Sequence, residues 1–224
     1  MRMYAVFEKG ERLRHIGHLD ILRTVQRALR RSGLQVKYSQ GFNPHILLGF
    51  ASALSVGAAA ENELMEVELE EAISPEALSG ILNSALPADI RVKKCGVLPD
   101  STPSLMALVS AAAWHVRFLG DEREELLRQM TALMDQKEIM SVRKTKKAGE
   151  KDVDIRPSIL AFEPLPPDSF DMTLSQEEGS TCKPSMVLEA LKRVSGRDEI
   201  RVSLTRTSLL TRTGSGLERL EEYL

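Results

Sequence analysis

A chain of 224 residues with 30 Lys and Arg against 32 Asp and Glu has room for one large domain or two small ones, and its length favours two. Its only cysteines, Cys95 and Cys182, stand outside any C-x-x-C pattern, which excludes an iron–sulfur cluster or a cysteine-rich zinc site on ligand count. The N-terminal MRMYAVFEKGERLRH lacks an apolar signal core and no run approaches the roughly 18 apolar residues of a membrane span. A reduced, cytoplasmic protein with no membrane partner is therefore expected.

Taken in chain order, MYAVFEKG alternates apolar and polar residues and reads as a strand. After the basic turn ERLRHIG, Leu19, Leu22, Val25, Gln26 and Leu29 recur at near-helical spacing. Gly33 closes that stretch and readily takes the left-handed C′ conformation, so His18 to Ser32 reads as an amphipathic helix. LQVKYS reads as a second strand and ELMEVELEE, with Met65, Val67 and Leu69 alternating against Glu66 and Glu68, as a third. SPEALSGILNSAL opens with a Ser N-cap and a Pro at the first helical position, and DIRVKKCGVLP follows as a fourth strand. The order βαββαβ is that of the ferredoxin-like, split-βαβ arrangement.

PDSTPS, Pro99 to Ser104, has the composition of a linker. Beyond it come the strand AWHVRFLG, the helix DEREELLRQMTALMDQKE with its acidic first turn, and the strand IMSVRKTK. KAGEKDVDIRPSILAFEPL and SFDMTLSQ follow, then the helix KPSMVLEALKRVSG and the strand EIRVSLTRTSLLT. With one extra hairpin strand this repeats the first half. The expected fold class is α+β: two tandem ferredoxin-like (βαββαβ) domains with antiparallel sheets, residues 1–99 and 106–224, joined by 100–105. The repeat is one of element order alone.

Charge is segregated. Residues 1–50 hold nine basic against three acidic side chains, whereas residues 51–90 hold no Lys or Arg and eight acids. On the first helix Arg23, Arg27 and Arg30 step by four and three residues and form one stripe, with Arg31 beside it. Such a stripe follows phosphates or is a solvated face paired with the acids of residues 61–71. A second basic cluster, RKTKKAGEK with Arg143, Lys144 and Lys147, sits on an expected β-hairpin. Aromatic stacking candidates near the first cluster are Tyr38, Phe42 and Phe50.

Three histidines lie in neighbouring elements: His15 and His18 where the first strand meets the first helix, and His45 in the turn after Asn43-Pro44. They are candidates for general acid/base work or, with Asp20, for a metal site. His18 or Asp20 equally suits a helix cap, and neither a metal set nor a nucleophile is completed by the spacing. His115, beside Trp114, reads as structural. SQGFNPHILLGFASALSVGAAAEN, Ser39 to Asn62, is the connection between the second and third expected strands, far longer than a hairpin's usual two to five residues. Gly41, Gly49, Gly57 and Pro44 shape it. It is either an apolar flap or a ligand-contacting surface.

HLDILRTVQRALRRSGLQVKYSQGFNPH, continued by LSVG and VELEE, resembles the signature of the radical-SAM-linked domain of unknown function in its stand-alone form. VRKTKKAGEKDVDIRPSI, with Asp154-Ile155-Arg156, is similar to that family's second block, so the resemblance spans most of the chain. Where that family continues after the histidine with Pro and a basic residue, this chain has Ile46-Leu47. The resemblance, with that family's association with radical SAM proteins and its frequent location near ribosomal-protein and ribonuclease genes, implies an RNA-modification or translation-linked role; no cofactor of the chain's own is expected. The tandem order also resembles that of CRISPR repeat-processing endoribonucleases, an analogy of fold alone.

The leading expectation is a non-catalytic RNA-binding accessory protein that presents tRNA or rRNA to a radical SAM partner. Arg23, Arg27, Arg30, Arg143, Lys144, Lys147 and Arg156 would hold phosphates, and Gln40, Phe42, Asn43 and His45 would contact a base or ribose. A metal-independent endoribonuclease using His15, His18 or His45 is one alternative. A purely protein-binding adaptor is the other.

Overall fold

The computed structural model describes every residue except 146–148 and every side chain except 144–148. In chain order the first elements are β1 (Arg2–Lys9), α1 (His18–Arg31), β2 (Leu48–Phe50), β3 (Ala58–Glu68), α2 (Pro75–Ala85), β4 (Ile90–Leu98) and the one-turn α3 (Leu105–Leu108). Then come β5 (Ala111–Phe118), α4 (Arg123–Met134), β6 (Met140–Thr145), β7 (Gly149–Asp154), β8 (Ile159–Leu165), β9 (Ser169–Ser175) and α5 (Pro184–Ser195). The last are β10 (Val202–Thr213), β11 (Gly216–Arg219) and α6 (Leu220–Tyr223). The chain is α+β with a mostly antiparallel sheet, and it forms two compact units, Met1–Val109 with Arg206–Leu224, and Ser110–Thr205. A cut at residues 99–106 leaves Arg206–Leu224 with the second half; in the structure these residues pack with the first. The reason is β10, whose 12 residues begin in the second unit and end in the first. Alternation identifies such a strand without saying which neighbours it joins.

In the first unit the strands neighbour one another in the order β4-β1-β3-β10, with β2 on β3 and β11 on β10. Tyr4 of β1 faces Glu66 of β3 on one side and Gly96 of β4 on the other, both antiparallel. A Cβ at position 96 would collide with the Tyr4 ring, so glycine is required there. Met3, Ala5 and Phe7 of β1 and Met65 and Val67 of β3 point to one face, where they meet Ile21, Val25 and Leu29 of α1 and Leu78 and Leu82 of α2. Each of these side chains larger than Ala contributes about 1.5–3 kcal/mol when fully buried. α2 starts as its sequence requires: the Ser74 hydroxyl accepts from the Ala77 N–H at 3.2 Å, a cap typically worth about 1 kcal/mol. α1 stops at Ser32, and Gly33 turns the chain with φ 77°. On the opposite face of β3 Leu64 is buried, and Leu105 of α3 and Leu220 of α6 are buried as well.

One expected strand is absent. Leu34 to Ser39 makes only isolated bridges, Val36 to Leu69 and Tyr38 to Ile46, and β2 lies instead at Leu48–Phe50, paired with Met65–Val67. Residues 39–62 are therefore not one long β2–β3 loop. They comprise a turn, a short strand, a crossing segment and the start of β3. The alternation of LQVKY is real, but its backbone groups find partners singly: Lys37 N–H donates to Glu68 O, Leu47 N–H to Lys37 O and Glu70 N–H to Gln35 O. Scattered bonds of this kind satisfy the backbone without building a ladder.

In the second unit β5, β9 and β8 are neighbours in that order, antiparallel throughout, with His115 opposite Asp171 and Glu163 opposite Asp171. Trp114, Val116 and Phe118 of β5 and Phe170 and Met172 of β9 are buried, as are Leu126, Leu127 and Met130 of α4 and Val187 and Leu191 of α5. α5 ends on Gly196, which adopts the left-handed conformation at φ 67°. β6 and β7 form a separate hairpin. Among the described residues no helix is long and apolar enough to cross a membrane.

Candidate functional site

The face of α1 opposite its buried Ile21, Val25, Ala28 and Leu29 carries Arg23, Arg27 and Arg30, all exposed. The acids of residues 61–71 do not pair with them. Arg23 Nη1 donates to Asp20 Oδ1 at 3.0 Å, and Arg27 Nη2 to Thr24 Oγ1 at 3.1 Å, both contacts within one helical turn. Exposed i,i+3 contacts of this kind are weak, and the guanidinium groups keep donors for an outside ligand. Arg31 is turned elsewhere, its Nη2 donating to Ala85 O of α2 at 2.8 Å.

Gln40, Phe42, Asn43 and His45 sit together on the turn Ser39–His45, and all four are exposed, Phe42 fully. The turn closes on itself. Ser39 N–H donates to His45 O at 2.8 Å, His45 N–H donates to Ser39 Oγ at 3.1 Å, and Ser39 Oγ meets His45 Nδ1 at 2.8 Å. Gly41 takes φ 120°, a conformation that suits glycine, and Pro44 restricts the chain before His45. Next to the turn lies a groove of about 490 Å³ lined by His45, Ile46 to Gly49, Glu66 and Glu68. Its acids are already matched, Glu66 by Arg2 at 2.6 Å and Glu68 by Lys37 at 3.7 Å.

The three candidate histidines have separate settings. His15 is exposed, with Arg14 Nε donating to its Nε2 at 3.1 Å. His45 belongs to the turn. His18 packs edge-on against Phe50, ring centroids 5.3 Å apart, and lines a small cavity of about 20 Å³ with Lys9 and Glu63. Neither His18 nor Asp20 caps α1; Gly17 is the N-cap and no side chain bonds there. Among the described residues no three His, Cys, Asp or Glu side chains gather as a metal site. Burial pushes the Cys95 thiol up to about 11 and the Cys182 thiol up to about 12, so neither is a thiolate nucleophile near neutrality.

Beside His18 lies a buried ionic cluster. Arg206 is 2 % exposed, Lys9 3 % and Glu63 4 %. Arg206 Nε and Nη2 donate to the two Glu63 oxygens at 2.6 Å each. The same guanidinium donates to Ser52 Oγ at 3.1 Å and to the carbonyls of Ser52 and Ala53 at 3.3 Å. Lys9 Nζ donates to Ile16 O and Ala58 O at 3.1 Å and to Arg14 O at 3.5 Å. It thereby ties the chain ahead of α1 to the start of β3. Burial lowers the pKa of Lys9; Glu63 opposes the shift and Arg206 adds to it. The pKa of His18 is also lowered, chiefly by burial, with Glu63 opposing the shift and Arg206 adding to it. The signal for this cluster is in the alternation. Lys9 continues the inward series Met3, Ala5, Phe7, and Glu63 the series Met65, Val67, Leu69, so both charges occupy core-side positions.

The second unit holds the remaining candidates. Arg143 is half-buried and donates to Gly179 O at 3.2 Å and Thr181 O at 2.9 Å, in a cavity of about 570 Å³ that Lys183, Glu150 and Glu189 also line. Arg156 donates through Nη1 to Ile159 O at 3.3 Å, and its own N–H is taken by Asp154 Oδ1 at 2.9 Å. Lys147 lies outside the described residues, and the side chain of Lys144 lies outside the described side chains. His115 Nδ1 is 2.7 Å from Asp171 Oδ1 on the sheet surface.

A family model described as "Uncharacterized protein conserved in bacteria (DUF2344)" matches residues 2–184, which include α1, the Ser39–His45 turn and the β6–β7 hairpin. The chain belongs to this family. No curated protein matches it. Among solved structures it is similar to an unknown protein from Galdieria sulphuraria, known from its crystal structure. The identity is 12 % and the TM-score 0.29, over 92 % of this chain and 97 % of that one.

Proposed function

We propose that this member of the family is a non-catalytic RNA-binding protein that presents tRNA or rRNA to a radical SAM partner. The observation that carries the reading is the uncovered arginine face of α1, at Arg23, Arg27 and Arg30. Guanidinium groups recognise phosphates by directed hydrogen bonds as well as by charge. The exposed arginines of α1 and the exposed ring of Phe42 both belong to the first unit, and a cationic face with an aromatic ring is a combination suited to RNA. The separate settings of His15, His18 and His45 give no support to a ribonuclease centre. The radical SAM partner rests on the resemblance carried by the SQGFNPH and VRKTKKAGEKDVDIRPSI strings.

In the same reading each unit is a ferredoxin-like sandwich. Supporting it are the order β4-β1-β3-β2 in the first unit and β5-β9-β8 in the second, where Leu119 N–H donates to Arg201 O just before β10. The test is binding of the intact protein to a folded tRNA, followed by fluorescence anisotropy from about 50 to about 200 mM salt. Affinity is expected to fall linearly with salt on logarithmic axes. Replacing Arg23 and Arg27 by Ala is expected to flatten the slope by about one unit for each phosphate no longer neutralised. A slope that the double variant leaves unchanged removes α1 from the interface, and no binding at low salt removes the RNA.

A further inference from the structure

The Ser39–His45 turn differs chemically from the arginine face of α1. From Ser39 to Leu47 there is no Lys or Arg. The adjoining groove carries Glu66 and Glu68, whose charges are met by Arg2 and Lys37. A phosphodiester backbone finds no uncommitted cation there. The turn offers instead a fully exposed phenyl ring at Phe42, flanked by the exposed side-chain amides of Gln40 and Asn43. An amide presents both donors and an acceptor, the complement of a nucleobase edge.

The turn is also built to hold that ring away from the core. Four neighbouring apolar residues, Ile46, Phe50, Ala51 and Leu54, are buried, yet Phe42 is not folded in with them. The hydrogen bonds between Ser39 and His45, the positive φ of Gly41 and the ring of Pro44 fix the backbone on both sides of it. Fixing the backbone beforehand reduces the ordering cost at binding.

Resting on the RNA reading above, we infer that this turn captures one unpaired nucleobase, with Phe42 stacked on its face and the amides of Gln40 and Asn43 at its edge. A base within a duplex is excluded as the ligand, because stacked neighbours cover both of its faces; a base in a loop, bulge or end leaves one free. Labour is then divided. α1 holds the backbone through charge, and the turn reads a splayed base with little dependence on salt.

The experiment uses the intact protein and two RNAs carrying 2-aminopurine, one in the single-stranded loop of a hairpin and one within a fully paired duplex. Stacking on Phe42 is expected to change the emission of the loop probe and leave that of the duplex probe unchanged. Phe42→Ala is expected to abolish the change and weaken hairpin binding about 5- to 150-fold, with an unaltered melting curve as proof of folding. Phe42→Tyr, which keeps the ring, is expected to retain both. Equal binding of hairpin and duplex, with no emission change and no effect of Phe42→Ala, overturns base capture and leaves the RNA reading standing. If the wild-type protein binds neither RNA, both fall, and Phe42 is left as a protein contact.

Discussion

Residues 39–45 and 50–60 belong to one stretch without a single Asp, Glu, Lys or Arg, and they use that lack of charge in opposite ways. The first part, from Gln40 to His45, turns into solvent and displays Phe42. The second part is folded inward: Ser52 and Ala53 receive the Arg206 guanidinium, the Ala58 carbonyl receives Lys9, and Phe50 packs on Phe7 with ring centroids 5.5 Å apart. An uncharged segment is thus no single signal. Near a buried ion pair it supplies carbonyl and hydroxyl acceptors without adding a further charge; on a closed turn it supplies a surface that repels no ligand.

That contrast is broken most severely at Glu63. Removing its carboxylate with Glu63→Ala leaves Arg206 buried without its counter-ion, and stability is expected to fall by about 3–5 kcal/mol, read as the urea midpoint. A loss well under 1 kcal/mol would mean that the inward half tolerates an uncompensated charge and is not the closed structure described here. Lys9→Met comes next. It leaves the Ile16 and Ala58 carbonyls without their donor, at an expected cost of about 1–3 kcal/mol, with hydrogen exchange rising first in residues 10–17.

The smallest expected effect is a pH dependence at His18. Its pKa in the folded protein lies below the ordinary 6.5, because burial disfavours the imidazolium, with Glu63 opposing and Arg206 reinforcing the shift. Above 6.5 the ring is neutral both folded and unfolded and contributes nothing. As pH falls below 6.5 the unfolded chain takes up the proton first, so stability declines until the folded-state pKa is passed. His18→Phe is expected to flatten this acid-side decline in melting temperature, and a curve parallel to wild type would assign the decline to other groups.

Much of this fold was legible in the sequence for local reasons. Ser74-Pro75 marks the start of α2 and Gly196 the end of α5, and the apolar spacing of α1 determines which of its faces is buried. What was not legible depends on partners remote in sequence. Arg206 and Glu63 are 143 residues apart, and nothing in TRTSLLT announces that its arginine is inside. The second strand was misplaced because Leu34–Ser39 alternates while Leu48–Phe50, only three residues long, does not show a period. At the candidate site, the spacing of Arg23, Arg27 and Arg30 correctly placed them on one face. The three histidines, close in the order of elements, have different settings because none lies on a shared strand or helix face: His15 is exposed ahead of α1, His18 packs on Phe50 at the first turn of α1, and His45 is held in its turn by Ser39.

The most direct measurement pairs the melting temperature of Phe42→Ala with its affinity for an unpaired RNA, both on the intact protein. If the outward half of the stretch is a display surface, melting stays at the wild-type value while affinity falls by about 1–3 kcal/mol. If melting falls and affinity for RNA does not, the turn serves folding, and the assignment of Phe42 to a ligand is wrong.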